Sequence, residues 1–129
     1  MGRALNAAAA RYPRVPMWRD DSPRLSARSR AEIADPSNEV LVSAATLWEI
    51  VSKRALGKLN FSDDLEEVLR EESFGLMPIT FQHLRRVALL PELHRDPFDR
   101  MLVAQALTEG APLVTNDRAV LAYGVPTLW

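Results

Sequence analysis

The strongest constraint on this chain is an alternation. Short apolar runs at residues 39–43 (EVLVS), 76–79 (LMPI) and 113–115 (LVT) are separated by stretches with helical spacing. Strands this short and apolar are buried on both faces, the habit of parallel sheets covered by crossover helices. The helical stretches carry their own start and stop signals. Ser26 caps a helix running to about Ala34, with Pro36 beyond it. Ser43 opens a helix over 44–56 that Gly57 ends. Ser62 opens one over 63–73, and Thr80 opens one reaching about Leu90. Residues 97–109 form the next helix, ended by Gly110; 117–122 form a short one and 125–129 a last strand. The expected fold class is α/β, one domain of three layers around a central parallel sheet. Its 129 residues suit a single core.

Composition narrows function by exclusion. Apolar residues at 47% and charged residues at 26% give an ordinary globular balance. The formal net charge is −1, so no global basic field draws nucleic acid, and any such contact must come from local clusters. Cysteine is absent, which removes disulfides, thiolate catalysis and Cys-ligated zinc and fits a reducing compartment. No apolar stretch approaches the ~20 residues of a membrane helix. The opening MGRALNAAAARYPRVP has only a short, weakly apolar centre broken by Asn6, so it is not read as a signal peptide. The expected location is the cytoplasm, with no membrane partner.

In open α/β sheets, chemistry gathers at the carboxyl ends of the strands. That rule singles out Glu49, Asp99 and Asp117, with Asp96 beside them, and each has an ordinary alternative. Asp96 before Pro97 is a common helix start. Asp99 would then be the third helical residue, where the helix dipole favours a carboxylate by roughly 0.3–1 kcal/mol. Its helix is apolar almost all round, so an acid there needs a partner. Asp117 can cap the short helix after it. Glu49 can pair with Lys53 one turn on. Together they put carboxylates at one end of the sheet, where each pair at ~4 Å costs on the order of 4 kcal/mol at an effective dielectric of ~20. A Mg²⁺ or Mn²⁺ ion would offset that repulsion and could activate water against a phosphodiester. Thr115 and Asn116 could orient waters around it. Of the two histidines, His83 is read as a surface or packing residue and His94 as a loop residue that could help position substrate. No Ser-His-Asp set, phosphate-binding glycine loop or zinc spacing is present.

The segments SAATLWEIVSKRALGKL, LMPIT, LPELHRDPFDRMLVAQAL, LVTNDRAV and YGVPTLW resemble the PIN-domain family, in particular the VapC-type toxin ribonucleases of bacterial toxin–antitoxin pairs. The resemblance runs from about Asp20 to Trp129 and implies a compact α/β domain that cleaves RNA with Mg²⁺ or Mn²⁺. It assigns Glu49, Asp99 and Asp117 as catalytic and metal-holding acids, with Asp96 as a companion. It also implies a homodimer held inactive by a cognate antitoxin. Local basic residues, Lys53, Arg95 and Arg100 foremost with Arg54 and Lys58, are candidates for RNA contact, and most are equally read as solvated surface charges. The alternative is a catalytically impaired remnant that still binds an antitoxin or dimer partner. A receiver-like phosphotransfer domain is disfavoured, because no lysine lies near the last strands and no acidic first strand is legible.

That last absence matters within the family too. Its members begin with a strand worded much like LLLDTHV, whose Asp is the first metal ligand. Here residues 1–19 form an atypical segment, and 20–129 carry the PIN-like domain. Ala8–Arg14 can be encoded by bases that, read one position later, spell Leu-Leu-Leu-Asp-Thr-His. This suggests a frame-shifted copy of the first strand; the alternative is a divergent Ala-rich helix. The expectation is a missing or altered first strand, two exposed strand edges, a poorly formed N-terminus, weak metal affinity and little nuclease activity.

Overall fold

The computed structural model describes the backbone of residues 4–6 and all of 25–58 and 63–129. In chain order the elements are β1 (Ala4–Asn6), α1 (Ala27–Ala34), β2 (Glu39–Ser43), α2 (Ala44–Ala55), α3 (Leu65–Glu72), β3 (Gly75–Met77), α4 (Phe81–Leu89), α5 (Pro97–Glu109), β4 (Leu113–Val114), α6 (Arg118–Leu121) and β5 (Thr127–Leu128). The sheet order is β3-β2-β1-β4-β5 and every pairing is parallel. The winding runs outward through β2 to β3, then returns and runs the other way through β4 to β5. The switch falls between β1 and β4, the place where such sheets leave a crevice at their carboxyl edge.

The expected α/β class, with helices and parallel strands, is what the chain forms. One expectation is corrected. The central position is not vacant: Ala4–Asn6 pairs with β2 on one side and with β4 at Asn6↔Leu113 on the other. Two strand edges that would otherwise be bare are thereby covered. The segment proposed as a frame-shifted strand, Ala8–Arg14, lies outside the described residues.

Smaller boundaries move for local reasons. The cap of α3 is Asp64, whose Oδ1 accepts the N–H of Glu67 at 3.1 Å. The helix therefore starts at Leu65, and the expected cap Ser62 lies outside the described residues. It ends on Ser73 in the left-handed region, φ 58°. β3 stops at Met77 because Pro78 has no N–H to continue a ladder. β4 and β5 are two residues each, shorter than the apolar runs around them.

The core is built on α5. Leu102, Val103, Ala104, Gln105 and Ala106 are all fully buried. Adjacent residues of β4 go to opposite faces, as a strand's period of two requires. Leu113 packs with Ala45, Leu102 and Val120 on the α5 side, and Val114 packs with Ile33, Val40 and Leu128 on the α1 side. Val42, Ile50 and Val68 fill the space between β2, α2 and α3. Gly110 ends α5 at φ 67°, a conformation that glycine adopts without steric cost. His83 is a buried packing residue: it completes a capping box with Thr80, and its Nε2 meets Glu109 Oε1 at 2.8 Å.

Candidate metal centre

Crossover helices begin at the edge where strands end, so α2, α5 and α6 all start at the carboxyl edge of the sheet. Local capping fixes each start. Ser43 accepts from Ala45 N at 3.0 Å and sets the phase of α2, which turns Glu49 inward. Asp96 Oδ1 accepts from Phe98 N at 2.9 Å and Asp99 N at 3.3 Å, with Pro97 at the first helical position. Asp117 Oδ1 accepts from Ala119 N at 2.9 Å, while Thr115 Oγ1 accepts from Asp117 N at 3.1 Å. The ordinary roles of Asp96 and Asp117 are therefore real, and each cap uses one carboxylate oxygen.

Glu49 and Asp99 are different. Each is 2% exposed. Glu49 Oε2 takes the Lys53 ammonium at 3.0 Å, and Asp99 Oδ2 takes His94 Nε2 at 2.7 Å. Their second oxygens, Glu49 Oε1 and Asp99 Oδ1, are buried with no hydrogen-bond partner among the described residues. Buried acceptors in that state cost free energy unless a cation or water reaches them.

The electrostatics tie the acids together. Burial pushes the Glu49 carboxyl up to about 7; Lys53 opposes the rise, while the charges of Asp99 and Asp96 add to it. Burial pushes Asp99 up to about 6; the His94 hydrogen bond opposes it, and Asp96 and Asp117 add to it. Asp96 thus acts on both buried acids, Asp99 on Glu49 and Asp117 on Asp99. Two buried carboxylates raised toward neutrality by burial and like charges suit a divalent cation.

The structure adds one residue that sequence reasoning underweighted. Donor atoms of His94, Asp96 and Asp99 lie within 4.8 Å of one another. The signal was present in HRDPFDR, where the histidine precedes the two acids by two and five residues, but a loop offers no period from which to read direction. Among the candidate RNA-contacting cations, Arg100 is engaged elsewhere. Its guanidinium donates to Pro91 O at 3.0 Å, Tyr123 Oη at 3.1 Å and Val87 O at 3.2 Å. Lys53 is committed to Glu49. Arg95 and Asn116 are exposed on the rim, and Thr115 is buried beneath it.

Fold and site define a doubly wound α/β domain with an acidic centre at its switch point. The profile of the PIN domain matches residues 17–125, and the chain belongs to the PIN-domain family. PIN domains are nuclease-type domains that generally depend on divalent metal. A crystal structure of PAE2754 from Pyrobaculum aerophilum is similar in fold, with a TM-score of 0.52 and 17% identity, covering 99% of this chain and 88% of that one. Among curated proteins there is no match to the chain. No helix of the described residues is long and apolar enough to cross a membrane.

Proposed function

We propose that this PIN domain is a Mg²⁺- or Mn²⁺-dependent endoribonuclease of the VapC type, the cytoplasmic toxin of a type II toxin–antitoxin pair. The observation that carries the catalytic reading is the pair of partnerless buried oxygens, Glu49 Oε1 and Asp99 Oδ1, in a site where Asp96 and Asp117 add negative charge. The donor set is rich in carboxylate oxygen and fits a hard divalent ion. Glu49, Asp99, Asp96 and Asp117 would hold it. Bound there, the ion would supply an activated water and charge stabilisation for phosphodiester cleavage. Thr115 fixes the turn that presents Asp117, and exposed Asn116 and Arg95 face the solvent from which RNA arrives. Homodimer formation and antitoxin docking are supported by the resemblance and by apolar surface on α2 and α4. Phe81 is 77% exposed and Leu89 80% on α4; on α2 Trp48 is 65% exposed and lines a groove of about 310 Å³ with Ile79, Phe98 and Met101.

The test is cleavage of end-labelled single-stranded RNA with added Mn²⁺. Weak cutting is expected with the full chain, since β1 brings no acid, and it is expected to vanish with EDTA or with Asp99→Asn. Cutting that survives either treatment would remove the metal centre from the mechanism. The impaired-remnant reading is favoured by one observation: β1 reads Ala4-Leu5-Asn6 and brings no acid to the switch point. A chain that binds Mn²⁺ yet cuts no RNA would select it.

A further inference from the structure

We infer that His94 is itself a ligand of this centre, which makes the donor set mixed nitrogen and oxygen and tunes it toward Mn²⁺ over Mg²⁺. The inference rests on the reading that the acids hold a divalent ion. Its basis is geometric. His94 Nε2 stands 2.7 Å from Asp99 Oδ2, and donor atoms of His94, Asp96 and Asp99 fall within 4.8 Å of one another. In an octahedral shell with bonds of about 2.1 Å, neighbouring donors stand about 3 Å apart and opposite donors about 4.2 Å apart. A spread of up to 4.8 Å exceeds the opposite-donor distance by about 0.6 Å, so the donors would draw in by that much around an ion.

Two further observations favour direct ligation over a purely orienting hydrogen bond. Asp99 Oδ1, on the same carboxylate, is buried and partnerless, so the group His94 touches still lacks a cation. The His94 side chain is 27% exposed, against 3% for that of Glu49, so an ion from solvent can reach the imidazole. Imidazole nitrogen suits Mn²⁺ better than Mg²⁺, which prefers oxygen and retains its waters.

Pulsed EPR of Mn²⁺ added to the full chain tests this without an activity readout. Imidazole-nitrogen hyperfine coupling is expected in the unmodified protein and is expected to be lost in His94→Gln. In direct titrations that substitution should weaken Mn²⁺ about tenfold or more and Mg²⁺ less than about threefold. Bound Mn²⁺ without nitrogen coupling in the unmodified protein would overturn the inference and leave the oxygen-only metal centre standing. Absence of any bound Mn²⁺ would overturn both.

Discussion

At the scale of residues, two buried acids carry a cost that depends on pH. Glu49 and Asp99 hold protons to higher pH when folded than an ordinary carboxyl does, about 7 and about 6. Between the ordinary carboxylate range and those values the folded chain binds more protons than the unfolded one. Stability of the metal-free protein from these two groups therefore falls as pH rises through about 4 to 7, and below that window neither contributes a difference. Mn²⁺ competes with the same protons, so its affinity should rise about tenfold or more from pH 5 to pH 7.5, as titration calorimetry would record. Asp99→Asn removes the buried charge and keeps the shape. It should raise the metal-free Tm at pH 8 by several degrees while abolishing Mn²⁺ binding. A Tm that falls in that variant would mean that Asp99 is a structural acid. The sequence made both acids legible as candidates, because each sits one position from an aromatic on an apolar helix. It did not show which oxygens lack partners, since that depends on contacts between elements.

At the scale of elements, the decisive piece is the loop between α4 and α5. It carries His94, Arg95 and Asp96 into the centre, and Arg100 pins it from below through Pro91 O, Val87 O and Tyr123 Oη. Three such bonds are worth on the order of 2 kcal/mol net. Arg100→Ala should lower Tm by roughly 7 °C in differential scanning calorimetry. Arg95→Ala should leave Tm unchanged and weaken RNA binding, reducing its salt dependence by about one charge. Equal Tm losses from the two would contradict this division of labour. Arg95 and Arg100 look alike in HRDPFDRM. The sequence already puts Arg95 before the helix that starts at Pro97 and Arg100 inside it, but Arg100's partners, Tyr123 foremost, are too distant in sequence to foresee. Caps were the most readable elements, since Ser26, Ser43, Thr80, Asp96 and Asp117 act within four residues of themselves. The α3 cap moved to Asp64 because several polar residues in a row offered equivalent starts. β1 was missed because three residues in a segment without alternation give no period to detect.

At the scale of the whole molecule, parallel topology does the positioning. The strand order reverses between β1 and β4, so helices α2, α5 and α6 start at one edge and deliver Glu49, Asp99 and Asp117 to it from separate parts of the chain. The parallel topology was legible from the alternation of short apolar strands with capped helices. The apolar faces of α2 and α4 were not, because amphipathic spacing looks the same whether a face meets its own core or a partner. Sedimentation equilibrium should show a dimer, and Leu84→Glu on the exposed face of α4 should yield monomers with an unchanged circular dichroism spectrum. The central claim, that acids from three helices converge on one divalent ion, is tested most directly by anomalous diffraction from a crystal soaked in Mn²⁺. A peak bounded by Glu49 and Asp99 with Asp96 or Asp117 beside it is expected. No peak there, or a peak only at surface carboxylates elsewhere, would contradict it.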